Sequence, residues 1–142
     1  MRDYTKIDAW RYADDLTVAV YGSTRAFPRE EIYGLTSQLR RAAYSVPANI
    51  AEGSARESQR DYLRFLYIAR GSLTETQYFL HLSQRLGYLS DPDHERLGKM
   101  TTTTFACLHG LIRVVEKQTS IPGRASAAIS SAALLFLARL LH

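Results

Sequence analysis

The sequence predicts an all-α protein, an antiparallel up-down-up-down four-helix bundle with an additional C-terminal helix. Apolar residues recur at spacings of three and four almost throughout, with no sustained two-residue alternation of the kind a half-buried strand shows. Four long periodic segments are separated by short stretches carrying the helix punctuators Pro28, Gly53, Gly87 and Pro92. Links this short leave consecutive helices as antiparallel neighbours.

The first helix is expected from about Asp8 to Arg25, with Ile7, Trp10, Ala13, Thr17, Val20 and Thr24 on one face. Phe27-Pro28 ends it, because the residue before a proline is pushed out of the α region. The second helix is expected from near Arg29, with Glu30 and Glu31 in its first turn, where carboxylates favour the positive end of the helix dipole. Ile32, Leu35, Leu39, Ala42, Val46 and Ile50 then make the seam of a bundle helix. Pro47 falls within that seam and has no N–H, so the carbonyl of Ala43 loses its helical partner and a bend, or a break into two shorter helices, is expected. Gly53 reads as the stop.

Ser58 is the expected N-cap of the third helix, with Asp61 completing a weak capping box, and the helix runs to about Leu86. It carries two apolar stripes: Phe65, Ile68, Ser72, Phe79 and Leu86, and Tyr62, Leu66, Ala69, Leu73 and Leu80. Contact from two sides follows from that pattern, with Gly71 allowing close approach of a neighbour. Gly87 closes the helix. Asp91-Pro92 opens the fourth helix as an N-cap followed by proline at the first helical position, and Leu97, Met100, Thr104, Leu108, Leu111 and Val115 form its seam.

Composition changes after Ser120. Residues 1–120 make the bundle, and 121–142 a separate extension in which Ala125 to Ala138 carries no charge. That run is shorter than the roughly 20 apolar residues needed to span a bilayer. A fifth helix from about Ser126 to Leu141 is expected, packed against protein because its polar face is thin.

A chain of 142 residues fits one domain and buries roughly 68 to 70% of its unfolded surface, enough for one core without staples. The single Cys107 forms no internal disulfide, and no leader pattern opens the chain, so a reducing cytoplasm is the expected setting. The formal net charge is +4, and it is unevenly placed: residues 25–70 hold eight arginines against five acids, and the tail adds Arg124 and Arg139. Arginine outnumbers lysine fifteen to three, which suits phosphate or carboxylate pairing and equally reflects a GC-rich genome.

Catalytic and cofactor chemistry finds little support. Glu-x-x-His pairs for a bundle carboxylate-iron site do not occur, and Asp91-x-x-His94 reads as capping. Cys107, His81 and His109 lack zinc-ligand spacing. Ser45 sits in no nucleophile elbow, and no glycine-rich phosphate loop is present. The expectation is no enzyme activity and no cofactor. What remains is a basic, aromatic-interleaved surface built from Arg40, Arg41, Tyr44, Arg56, Arg60 and Arg64, able to track a phosphate backbone. The competing reading of the same residues is a solvated face with ion pairs to Glu52, Glu57 and Asp61, and Glu75 is expected to pair with a helix-two arginine such as Arg41.

The run R-R-A-A-Y-S-V-P-A-N-I-A-E-G, from Arg40 to Gly53, resembles the four-helix-bundle family encoded by intervening sequences in bacterial 23S ribosomal RNA genes. The likeness extends to Trp10, Ala13, Phe27-Pro28, Glu31, Tyr33-Gly34-Leu35, Gln38-Leu39, Arg56, Ala69, Gly71-Ser72 and Glu75, and covers about residues 4–118. Within it, Gly34, Pro47, Asn49, Glu52, Gly53, Gly71 and Glu75 stand as the structural motif. The resemblance implies a ring-like homopentamer, and the family is similar to the accessory variability protein of diversity-generating retroelements, a basic barrel that associates with a reverse transcriptase and nucleic acid. The functional expectation is therefore an oligomeric bundle binding RNA or DNA by its backbone, with a partner protein in a larger complex. The alternative is an assembly module whose arginines pair between subunits.

Overall fold

The structure, a computed structural model, describes residues 1–120; the expected C-terminal extension and its helix lie outside the described residues. Four α-helices follow one another: α1 (Asp8–Thr24), α2 (Leu35–Ser54), α3 (Gln59–Arg85) and α4 (Asp91–Ser120), with short 3-10 helices at Tyr4–Lys6 and Arg29–Glu31. Each long helix packs on two others, in the cyclic order α1, α2, α3, α4 and back to α1. Neighbours run antiparallel. Late α1 meets early α2 where Arg40 reaches Thr24, and the start of α3 meets the end of α4 where Gln59 donates to Gln118.

The core is aliphatic and drawn from all four helices. Leu16 and Val20, Leu39, Val46 and Ile50, Leu66 and Leu73, and Leu97, Leu108 and Val115 are fully buried. The expected seams of α2 and α4 supply most of their share, and removing one such leucine side chain costs about 2–5 kcal/mol. α1 also contributes Ala9 and Leu16, which lie on the buried side of the expected face. The buried Thr36 hydroxyl of α2 has no partner among the described residues. Four buried hydroxyls of α3 and α4 are bonded to carbonyls in their own helix: Thr76 to Ser72, Ser83 to Phe79, Thr101 to Leu97 and Thr104 to Met100. That pairing lets polar side chains sit in the core without a desolvation penalty, and it holds the turn from Thr101 to Thr104 together despite poor helix propensity.

Several local features depart from the sequence expectation. α2 starts at Leu35, not near Arg29, because the Leu35 N–H donates to Glu31 Oε2 at 2.9 Å and that carboxylate caps the helix from outside. Ile32 therefore lies before the helix and is 54% exposed instead of joining the seam. Pro47 does not break α2, which runs unbroken past it. Thr17 Oγ1 from α1 donates to the Ala43 carbonyl at 3.1 Å, supplying a donor where proline has none.

Gly53 is not a stop. It lies within α2, and a Cβ there would stand 2.7 Å from Phe65 Cβ and 3.0 Å from the Tyr62 ring, so its role is close contact with α3. Gly71, expected to play that part, faces open space. Ser90, not Asp91, caps α4, its hydroxyl accepting from the Asp93 N–H at 3.3 Å. On α3 the stripe through Tyr62, Leu66, Ala69, Leu73 and Leu80 is buried, whereas Ile68 and Leu86 of the other stripe are exposed.

Other punctuation holds. The Ser58 hydroxyl accepts from the Asp61 N–H at 3.0 Å, as an N-cap does. Gly87 adopts φ +75°, and the N–H groups of Gly87 and Tyr88 bond to the carbonyls of Gln84 and Ser83, the left-handed closure that glycine permits.

Candidate nucleic-acid interface

The α2–α3 end of the bundle gathers the densest set of expected site residues. Asp61 sits in the first turn of α3, where its carboxylate meets the positive end of the helix. It accepts from Arg64 at 3.0 Å and lies 3.6 Å from Arg56 Nε, while Arg56 also bonds Glu52 at 2.9 Å. The guanidinium groups of Arg56 and Arg64 lie 4.8 and 4.7 Å from the Phe65 ring centroid. Two planar cations are thus held against one buried ring by one shared carboxylate. These pairs are exposed, so each adds little stability, about 0 to 1 kcal/mol; what they do is fix orientation.

Arg60 is different. It is exposed, makes no ion pair among the described residues, and with Leu63, Arg64, Tyr67 and Thr119 lines a cleft of about 530 Å³ between α3 and α4. Tyr67 donates to Glu116 at 2.7 Å across the same two helices, and that bond, with burial adding to it, raises the phenol above its usual pKa. Arg70 stacks on the Tyr67 ring at 4.9 Å.

Arg40, Arg41 and Tyr44 are not part of this group. Helical rise puts Arg41 about 20 Å along α2 from Ser54. Arg40 is half-buried, its Nε donating to Thr24 at 2.8 Å with the guanidinium 4.6 Å above the Tyr21 ring. Arg41 bonds Gln38 and reaches Glu75 at 3.5 Å, the expected pair between α2 and α3, although both partners are near half-exposed. Tyr44 projects to solvent. Of the expected basic surface, then, the fold brings Arg56, Arg60 and Arg64 together and sets Arg40 and Arg41 into helix–helix contacts.

The remaining motif residues serve architecture. A Cβ at Gly34 would stand 2.8 Å from Glu31 Oε2, so glycine clears the path for the carboxylate that caps α2. Glu31 Oε1 also accepts from the Tyr88 hydroxyl at 3.3 Å, and Tyr88 packs 5.8 Å from Phe27 to close the far end of the bundle. Asn49 donates to the Ser45 carbonyl one turn back, at 2.7 Å.

Sequence reasoning missed Arg2. Its guanidinium donates to the carbonyl of Arg56 at 2.9 Å and to Gln59 at 2.7 Å, and lies 4.4 Å over the Tyr62 ring, clasping the α2–α3 turn from the N-terminal segment. No periodic signal marks such a residue. Thr17 was placed on the correct face of α1, and the carbonyl freed by Pro47 was the available clue to its partner. Among the described residues no His, Cys, Asp or Glu cluster of three or more is grouped to hold a metal.

No curated protein matches the chain. Among solved structures, the chain is similar to the crystal structure of a protein with unknown function from the S23 ribosomal protein family of Bacteroides thetaiotaomicron VPI-5482, with a TM-score of 0.67 and 23% identity, covering 73% of this chain and 97% of that one. That likeness shows the shared bundle fold. Residues 5–110 match the family of the 23S rRNA-intervening sequence protein, and the chain belongs to that family.

Proposed function

We propose that the protein is a non-enzymatic, self-associating bundle that binds the phosphate backbone of RNA or DNA through Arg56, Arg60 and Arg64, without reading bases. The observation that carries this reading is the arrangement around Phe65: two guanidinium groups oriented by a ring and a carboxylate, with Arg60 exposed beside them and in no ion pair among the described residues. Oriented cations lose little side-chain entropy on meeting a phosphate, and backbone contacts of this kind position a nucleic acid without specifying its sequence. Membership of a family named for sequences within 23S rRNA genes adds to the reading.

The test is a salt titration of binding to a mixed-sequence RNA, with light scattering on the same preparation. Affinity is expected to fall steeply with salt and to be lost in the Arg56→Glu/Arg60→Glu chain. Salt-independent binding, or binding that survives the double charge reversal, overturns it.

A second reading, an assembly module without nucleic acid, is favoured by the opposite end of the bundle. There Tyr33 is 94% exposed next to the exposed Ile32, an apolar tip that suits protein contact. It predicts a stable oligomer with no RNA affinity, dissociated by changes at Arg40 or Glu52.

A further inference from the structure

One face of α3 carries cations and aromatic rings and no carboxylate along its whole length. Arg60, Arg64, Tyr67, Gly71, Thr74, Tyr78, His81 and Arg85 step by fours and threes and are all exposed, with Arg70 and Gln77 beside them. The two acids of α3 lie off this stripe and are already paired, Asp61 with Arg56 and Arg64, and Glu75 with Arg41. On the α4 side, Glu95 is matched by Lys99 at 3.2 Å and Glu116 accepts from Tyr67. Arg60, Arg70 and Arg85 are in no ion pair among the described residues.

Both tyrosines of the stripe stand beside open space. Tyr67 lines the 530 Å³ cleft with Arg60 and Arg64, and Arg70 lies 4.9 Å from its ring centroid. Tyr78 is 56% exposed and lines two separate clefts. One, of about 930 Å³, is shared with Gly98, Lys99 and Thr102 of α4, and the other, of about 280 Å³, with Arg85 and Leu86. The Tyr78 ring is thus a wall common to two clefts, with a cation in the lining of each.

We propose that α3 carries an unpaired strand of nucleic acid along this stripe, with bases stacked on Tyr67 and Tyr78. The proposal rests on the backbone-binding reading above and narrows its ligand to single strands. Arg64 follows Arg60 after about 6 Å of helix, and Arg70 follows Arg64 after about 9 Å. A strand within a duplex winds away from such a straight line of cations and returns to it only a full turn later, roughly 34 Å for DNA. An unpaired strand lies along the line.

The rings make the same distinction. Bases in a duplex stack on one another and offer only their edges in the grooves, so exposed tyrosines have nothing to receive. Unpaired bases stack on aromatic side chains, and do so whatever their identity, because every base has a π-face. The stripe from Arg60 to Arg85 is about 38 Å long. At about 3.4 Å per stacked nucleotide it takes up to about eleven, within the roughly 4–16 that a small single-strand-binding domain covers.

The experiment measures binding of the full chain to a mixed-sequence RNA of about 12 nucleotides, alone and annealed to its complement, by fluorescence anisotropy across a salt series. The single strand is expected to bind about tenfold more tightly than the duplex. Tyr78→Ala is expected to weaken single-strand binding about tenfold and to leave duplex binding within about twofold, whereas Tyr78→Phe keeps the ring and the affinity. Arg85→Ala is expected to lower the single-strand salt slope by about 0.7. Circular dichroism confirms that the variants stay helical. A mononucleotide offers one base and one phosphate without the strand, and is expected to displace the RNA only at about a hundredfold excess or more. Duplex bound as tightly as single strand, Tyr78→Ala without effect or with equal loss on both, an unchanged slope in Arg85→Ala, or displacement by equimolar mononucleotide each overturn the single-strand assignment and leave the backbone-binding reading standing. Salt-independent binding, or no binding to either RNA, overturns both.

Discussion

Thr17 Oγ1 donates to the carbonyl oxygen of Ala43 at 3.1 Å, sharing a proton it also directs at its own helix through Ala13 at 2.8 Å. That carbonyl is the one Pro47 leaves without a helical donor, so a residue in α1 compensates a proline in α2. Thr17→Val keeps the side-chain shape and removes the donor. It is expected to cost about 1–2 kcal/mol, the penalty of an unpaired buried carbonyl. In a Pro47→Ala background, where the backbone N–H returns, the same change is expected to cost less than half as much. Urea unfolding at fixed protein concentration measures both, and equal costs in the two backgrounds would refute the coupling.

Gly53 and Gly110 make a matched pair. Both lie within helices, Gly53 in the last turn of α2 and Gly110 in the interior of α4, but a Cβ at Gly53 collides with Phe65 whereas one at Gly110 meets nothing within 4 Å. Gly53→Ala is expected to destabilise by about 1–3 kcal/mol through forced separation of α2 and α3. Gly110→Ala is expected to stabilise by up to about 1 kcal/mol through helix propensity alone. Thermal melts of the two variants should move in opposite directions.

Tyr62 sets an alkaline limit. Burial raises its pKa above 10.0, and the Arg2 guanidinium over its ring opposes that rise. Tyr67, through its bond to Glu116, and Tyr88, through burial beside Glu31, shift in the same direction. A folded-state pKa above the unfolded value contributes stability that is complete below the unfolded pKa and lost as pH rises through the folded one. Stability is therefore expected to hold steady to about pH 9 and decline above about pH 10. Tyr62→Phe should flatten that decline. Arg2→Ala should steepen it, and should also weaken the α2–α3 turn at every pH. Unfolding free energies at about pH 8 and about pH 10.5 check the sign.

The number of phosphate contacts is readable from salt dependence. Each arginine that releases a counterion contributes about 0.9 to the slope of log affinity against log salt on a duplex and about 0.7 on a single strand. Arg60→Ala is expected to lower the slope by about one contact, and Arg41→Ala to leave it unchanged because Arg41 is engaged with Glu75. Equal effects of the two substitutions would sink the assignment of the contact surface to the α2–α3 end.

Helix periods and several caps were legible in the sequence. The seam from Leu35 to Ile50, the Ser58 cap and the Gly87 closure depend on residues within a turn of one another, and local pattern suffices for such features. Gly53 and Gly71 show where local pattern fails. Gly53 reads as a stop and Gly71 as a point of close approach, yet the neighbour opposite, Phe65 in one case and open space in the other, gives the close approach to Gly53. Asp91 before Pro92 reads as the cap of α4, but it is the hydroxyl of Ser90, one residue earlier, that reaches the Asp93 N–H. The basic surface was half legible for a related reason. Arg40 and Arg56 are close in sequence, yet a helix carries its residues apart at about 1.5 Å each, and the ring and hydroxyl that take Arg40 belong to α1.

The buried hydroxyls divide the bundle into a keyed half and an unkeyed half. Thr76, Ser83, Thr101 and Thr104 answer only to their own helices, so the bonds that register α3 against α4, Tyr67 on Glu116 and Gln59 on Gln118, lie at the surface. Between α1 and α2 there are two teeth, Thr17 on Ala43 and Arg40 on Thr24. Inserting one residue within α1 between these teeth turns Thr24 about 100° away from Arg40, whereas aliphatic substitutions between α3 and α4 need only conserve volume. Sequence drift in this chain is therefore free to rewrite the buried layer between α3 and α4 piecemeal, but must change the contact between α1 and α2 in matched pairs.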